Sequence, residues 1–136
     1  MSETSQTLQE GPRVKRVWRI LIVDDEESIR ELFVSIFRAP DYNTAAAANG
    51  PAALAMAVEQ KFDLAFIDYS MPEMNGVEVS RRLRQALPLM KTVTISGFPV
   101  GDRAVMVEQA GASAFLAKPF SVEAVRSLAE RLLGIR

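Results

Sequence analysis

The sequence contains neither cysteine nor histidine. Without cysteine there are no disulfides and no thiolate metal sites. Without histidine the usual zinc ligands, the imidazole general base and any phosphohistidine on this chain are excluded. An excess of either charge is also missing: 16 basic residues stand against 17 acidic ones. Nothing electrostatic therefore marks nucleic acid as a direct partner. No apolar run approaches the length of a membrane span. The polar opening MSETSQTLQEGPR lacks the apolar segment of a signal peptide. These absences predict a cytoplasmic protein with no membrane contact. At 136 residues, the chain is long enough to bury a core as one domain without covalent staples.

What is present is alternation. Residues 1–15 read as a mobile leader broken at Gly11-Pro12, with the basic cluster Arg13, Lys15, Arg16 and Arg19 in solvent. Residues 17–23 (VWRILIV) make a β-branched strand. Ile29, Leu32, Phe33 and Ile36 recur at the i, i+3, i+4, i+7 spacing, which predicts a helix over 28–38. Further strands are predicted over 43–47 (against the propensity of its alanines), 62–67, 92–95 and 114–117. A helix over 51–60 opens with Pro51, where a missing N–H costs nothing. Another runs from Asn75-Gly76 to Leu87, with Val79, Leu83 and Leu87 inward and Arg81, Arg82 and Arg84 in water. The last two are a helix over 101–110 stopped by Gly111, and one capped by Ser121 that carries Val122, Val125, Leu128 and Leu132.

Five strands alternating with five helices imply a three-layer α/β domain over 16–136 with a five-stranded parallel sheet. Right-handed crossovers leave few topologies. The flavodoxin-like (βα)5 order 2-1-3-4-5 is expected, with its site outside the carboxyl ends of strands 1 and 3. That edge collects Asp24-Asp25 after the first strand, Asp68 after the third, Ser96-Gly97 after the fourth and Lys118-Pro119 after the fifth. Taken singly, each has a plain explanation: a helix cap, a loop hydroxyl, a surface charge. Their convergence on one edge does not. Three carboxylates about 5 Å apart repel by roughly 3 kcal/mol per pair at an effective dielectric near 20, which Lys118 offsets only in part. A hard divalent cation held by oxygens relieves the remainder, and magnesium suits so few protein ligands. Spacing alone thus leads to a metal-binding acidic edge with one carboxylate left as a nucleophile.

The motifs Asp24-Asp25, Asp68 with Met71-Pro72-Glu-Met-Asn-Gly76, Ser96-Gly97, Gly111-Ala112, Phe115 and Lys118-Pro119-Phe120 occur in one order. Over about residues 17 to 134 they resemble the CheY-like receiver domain of two-component response regulators. The resemblance implies a phosphorelay switch rather than an enzyme. Asp68 would accept a phosphoryl group from a sensor histidine kinase or a histidine phosphotransfer protein. Asp24, Asp25, Asp68 and the backbone carbonyl of Ser70 would hold magnesium, Asp25 directly and Asp24 largely through water. Ser96 would be the switch hydroxyl, Phe115 the aromatic that follows it inward, and Lys118 the cation on the phosphoryl group. Lys118-Pro119 would be a cis peptide. Serine stands for the commoner threonine and phenylalanine for the commoner tyrosine, and no catalytic position is missing.

Two rivals fit less well. A haloacid dehalogenase-type phosphatase needs a second Asp two residues past the nucleophile, where this chain has Ser70. A flavodoxin needs a first loop that cradles phosphate, and Asp24 to Glu27 would repel one. The family pattern further implies that Ser70 and Phe98 flank the path of the hydrolytic water and set the phosphorylated lifetime. Val34 and Phe37, off the apolar stripe of the first helix, are expected to be exposed and to dock the kinase. The fourth helix, fifth strand and fifth helix would meet an output protein, an output domain or a second copy of the chain. Arg136 follows directly on the last helix, which leaves a stand-alone receiver and a piece of a longer regulator as the two readings of the output.

Overall fold

In the first strand, β1 (Trp18–Val23), successive side chains go to opposite faces, as the two-residue period of extended chain requires. Ile20 and Ile22 enter one buried cluster, Leu21 and Val23 the other. The computed structural model of the protein describes residues 16–97 and 103–135. After β1 come α1 (Glu27–Ile36), β2 (Tyr42–Ala47), α2 (Gly50–Glu59), β3 (Leu64–Asp68), α3 (Gly76–Ala86), β4 (Lys91–Ser96), α4 (Arg103–Ala110), β5 (Ala114–Ala117) and α5 (Val122–Leu133). The strands form one parallel sheet in the order β2-β1-β3-β4-β5, the flavodoxin-like arrangement expected.

Helices cover both faces. On one, Phe33 and Ile36 of α1 and Val125 and Leu128 of α5 pack on Ile20, Ile22, Leu64, Phe66, Val93 and Ile95. On the other, Ala53 and Ala57 of α2 and Val79 and Leu83 of α3 pack on Leu21, Val23, Ala65 and Ile67. The alanines of α2 allow a close approach, and α4 lies beside α3. Asn49, Asn75 and Ser121 cap α2, α3 and α5, each side chain accepting a backbone N–H of the first turn. Gly111 ends α4 at φ 64°, a left-handed conformation that glycine adopts without a Cβ clash.

Most boundaries shift by one or two residues from the expected ones, and two shifts matter. β3 extends through Asp68 and β4 through Ser96, because Asp68 pairs with Ile95 and Ser96 with Ala117. Both polar residues are therefore held by the ladder itself. The alanine-rich β2 pairs with β1 over all six residues. Cross-strand pairing outweighs the weak propensity of alanine there. Residues 98–102, including the predicted start of the fourth helix at Gly101, lie outside the described residues, as does the leader of residues 1–15. Of the basic cluster, Arg16 is exposed yet paired with Asp63 at 2.9 Å, and Arg19 Nη1 donates to Gln60 at 2.8 Å. These two are tied to the amino end of the sheet rather than solvated alone. Among the described residues no helix is long and apolar enough to cross a membrane.

Candidate functional site

Parallel strands all end at one edge, so the residues at and just past their carboxyl ends become neighbours. Asp24 follows β1, and its N–H donates to the Ala47 carbonyl at 3.1 Å. Asp68 closes β3, and the Tyr69 N–H continues the ladder to the Ile95 carbonyl at 2.8 Å. Lys118 follows β5, its N–H donating to the Ser96 carbonyl at 2.9 Å. The loop after Asp68 folds back so tightly that the Gly76 N–H donates to the Tyr69 carbonyl at 2.9 Å. A Cβ on Gly76 would collide with the Asp68 carbonyl oxygen and crowd Tyr69 Cα, both backbone atoms that cannot swing away. The Asn75-Gly76 pair therefore caps α3 and lets it approach the strand end that carries Asp68.

The side chains converge. Asp24, Asp25 and Asp68 each place a carboxylate oxygen within 4.8 Å of the others. Asp24 is fully buried and Asp68 is 4% exposed, whereas Asp25 is exposed. Oδ1 of Asp24 accepts the Glu26 N–H at 2.9 Å, but Oδ2 is buried without a hydrogen-bond partner. The Lys118 ammonium reaches in from the fifth strand, 3.5 Å from Asp24 Oδ2 and 3.4 Å from Asp68 Oδ1. Asp25, Glu26, Asp68, Ser70, Ser96, Gly97 and Lys118 line an open hollow of about 440 Å³.

Burial raises the Asp68 carboxyl to about 6; the Asp24 charge adds to the shift and Lys118 opposes it. Burial also raises Asp24, against the Glu26 N–H and the charge of Lys118. For Lys118, burial alone would lower the ammonium, but the charges of Asp24, Asp68 and Glu26 outweigh it and raise it. One cation thus faces more negative charge than it neutralises. The donors are hard oxygens, and one of them, Asp24 Oδ2, is buried with no hydrogen bond and only a 3.5 Å ion pair to the shared Lys118, so the cluster is suited to a metal ion.

Residues 20–130 match the sequence family described as the response regulator receiver domain. The chain belongs to that family. Among receiver-containing relatives, the alginate biosynthesis transcriptional regulatory protein AlgB of Pseudomonas aeruginosa is 37% identical over 118 residues, 87% of this chain and 26% of that protein. This chain therefore spans about a quarter of that relative's length. Sporulation initiation phosphotransferase F of Bacillus subtilis is 30% identical over 87% of this chain and 95% of its own. Among solved structures, chemotaxis protein CheY4 of Vibrio cholerae superposes with a TM-score of 0.80 at 28% identity, covering 86% of this chain and 99% of that one.

As a receiver, the chain brings together Asp24, Asp25, Asp68, Ser96 and Lys118, and Ser70 lies exposed on the rim of the same hollow. The Lys118-Pro119 peptide is cis. Phe115 is half-buried on β5, with the Arg103 guanidinium 4.8 Å above its ring. Phe98 lies outside the described residues. The docking expectation divides. Val34 is 38% exposed, as expected, but Phe37 is 2% exposed and part of the core. The helix ends at Ile36, so Phe37 sits at the cap, beyond the reach of helical periodicity. Its ring lies 5.0 Å from that of Tyr42 and 6.0 Å from that of Phe66. Phe37 is therefore a core residue and not a surface contact. One residue escaped the sequence reading altogether. Glu26 passes for a helix-terminal charge in the acidic run, yet its carboxylate lies 3.3 Å from Lys118, 92 positions along the chain.

Proposed function

We propose that this receiver is a phosphorylation switch in a two-component phosphorelay. Asp68 takes a phosphoryl group from the phosphohistidine of a sensor histidine kinase or histidine phosphotransfer protein in the cytoplasm. The α4–β5–α5 face then meets an output protein, an output domain or a second copy of the chain. The observation that carries this reading is the Asp68 carboxylate, held at a strand end beside an open hollow with a cation 3.4 Å away. A carboxylate oxygen attacks phosphorus while the P–N bond to the donor imidazole breaks, and the electron pair stays with the imidazole. The product remains on the protein as an acyl phosphate, so the chain is a switch and not an enzyme that turns over a free substrate.

Asp24, Asp25, Asp68 and the Ser70 carbonyl would hold magnesium, which would neutralise charge on the phosphoryl oxygens. Lys118 supplies a protein cation for the same charge. Ser96, buried at the end of β4, and Phe115 on the neighbouring strand couple the new group to α4 and β5. The test is acetyl phosphate with magnesium, read as a mass increase of one phosphoryl group. The wild type is expected to be labelled and Asp68→Asn to remain unlabelled. Undiminished labelling of the Asn variant would move the nucleophile elsewhere.

A further inference from the structure

Three carboxylates share one ammonium. Lys118 Nζ lies 3.5 Å from Asp24 Oδ2, 3.4 Å from Asp68 Oδ1 and 3.3 Å from Glu26 Oε1. The three are not equivalent. Asp24 and Asp68 are buried and held at the ends of β1 and β3. The Glu26 side chain is 60% exposed and makes no cap bond to α1, although the residue occupies the cap position of that helix. It also lines the hollow into which Asp68, Ser70 and Lys118 face. An exposed ion pair is weak and screened by water. Of the three contacts, the one to Glu26 is the easiest to break.

On the phosphoacceptor reading above, we infer that Glu26 is a place-holder for the phosphoryl group on Lys118. In the unmodified protein its carboxylate occupies the side of the ammonium that faces the hollow. A phosphoryl group arriving on Asp68 takes that contact over and releases Glu26 to solvent. Glu26 is thus a positioning residue that acts through Lys118 in two opposed ways. It keeps the ammonium at the hollow while Asp68 is free, and it competes with the phosphoryl oxygens once they arrive. Its charge also repels an anionic phosphodonor. Competition by one exposed pair corresponds to a change of about threefold in affinity or rate.

The experiment compares wild type with Glu26→Gln, which keeps shape and removes charge, at saturating magnesium. Beryllofluoride, a phosphoryl mimic, is titrated into both, and both are labelled with acetyl phosphate and with phosphoramidate. The Gln variant is expected to bind beryllofluoride about threefold more tightly and to be labelled faster. The acceleration should be larger for dianionic acetyl phosphate than for phosphoramidate, which carries less net charge, and should shrink with added salt. The Lys118 ammonium resonance should differ between the two proteins before beryllofluoride is added and coincide afterwards. A merely structural role for Glu26 would not produce that pattern. Normal labelling with equal affinities and rates in both proteins would overturn this inference alone, as would a Lys118 difference that persists in the bound state. A wild type that takes no label would overturn the phosphoacceptor reading, and this inference with it.

Discussion

At the scale of single residues, Asp68 combines two demands that oppose each other. It must be ionised to act as a nucleophile, yet it sits where water is scarce and Asp24 is close. In the metal-free protein its carboxyl is pushed up to about 6, above the ordinary carboxylate range, and burial is the main cause. A folded state that binds the proton more tightly than the unfolded chain loses stability as pH rises through that window, from about 4 to 6. The metal-free wild type should therefore be more stable at pH 5 than at pH 8. Asp68→Asn should flatten this slope and add on the order of 2 kcal/mol at pH 8. Magnesium should stabilise the wild type most above pH 6, where no proton competes for the carboxylates. Urea unfolding across pH, with chelator and with magnesium, checks all three. Identical slopes in wild type and the Asn variant would mean that Asp68 carries no such burden.

At the scale of the element, α1 shows how far periodicity reaches and where it stops. Ile29, Leu32, Phe33 and Ile36 follow the helical repeat onto the sheet, with Phe33 and Ile36 buried and the other two packed against them. Phe37 leaves the helix and tucks its ring between Phe33, Tyr42 and Phe66. Val34 keeps to the outer side. The two residues should respond in opposite ways to substitution. Phe37→Ala should lower stability by about 3 kcal/mol, the usual cost of emptying an aromatic core position. Val34→Glu should change stability by no more than about 0.5 kcal/mol. If Val34 contributes to kinase docking, its Glu variant should also lose phosphotransfer from the kinase while acetyl phosphate labelling is unchanged. Denaturant midpoints and the two labelling assays separate these outcomes; a destabilised Val34→Glu protein would put Val34 in the core.

At the scale of the molecule, the sheet is what makes a site out of distant residues. Lys118 and Asp24 are separated by most of the domain in sequence and by 3.5 Å in space. The same edge leads outward to the proposed output face. Ser96 ends β4, the backbone of Lys118 bonds to it from the end of β5, and Arg103 at the start of α4 stacks on Phe115. These contacts form the proposed route from Asp68 to α4 and β5. Beryllofluoride should shift the resonances of residues 103–110 and 114–117 in the wild type. Ser96→Ala and Lys118→Ala should still bind the mimic, more weakly, but with smaller shifts in those segments. Full-sized shifts in both variants would show that the coupling runs through other groups.

Much of this architecture was legible in the linear sequence because its signals are local. Apolar patterning, with Asn, Ser and Gly at the boundaries, marks most of the elements found among the described residues, the alanine-rich β2 being the weakest, and short right-handed crossovers then leave one favoured strand order. Once that order is set, Asp24, Asp25, Asp68, Ser96 and Lys118 must meet, because parallel strands end together. What remained to tertiary structure was everything that depends on which side chain fills which space. The burial of Phe37 follows from a helix that stops one residue short of it, leaving the ring free to turn under the end of the helix. The ladder decided that Asp68 and Ser96 belong to the strands, since Ile95 and Ala117 supply their pairing partners. The contact between Glu26 and Lys118 has no local signature at all, because it exists only where the ends of β1 and β5 come within reach of the same hollow.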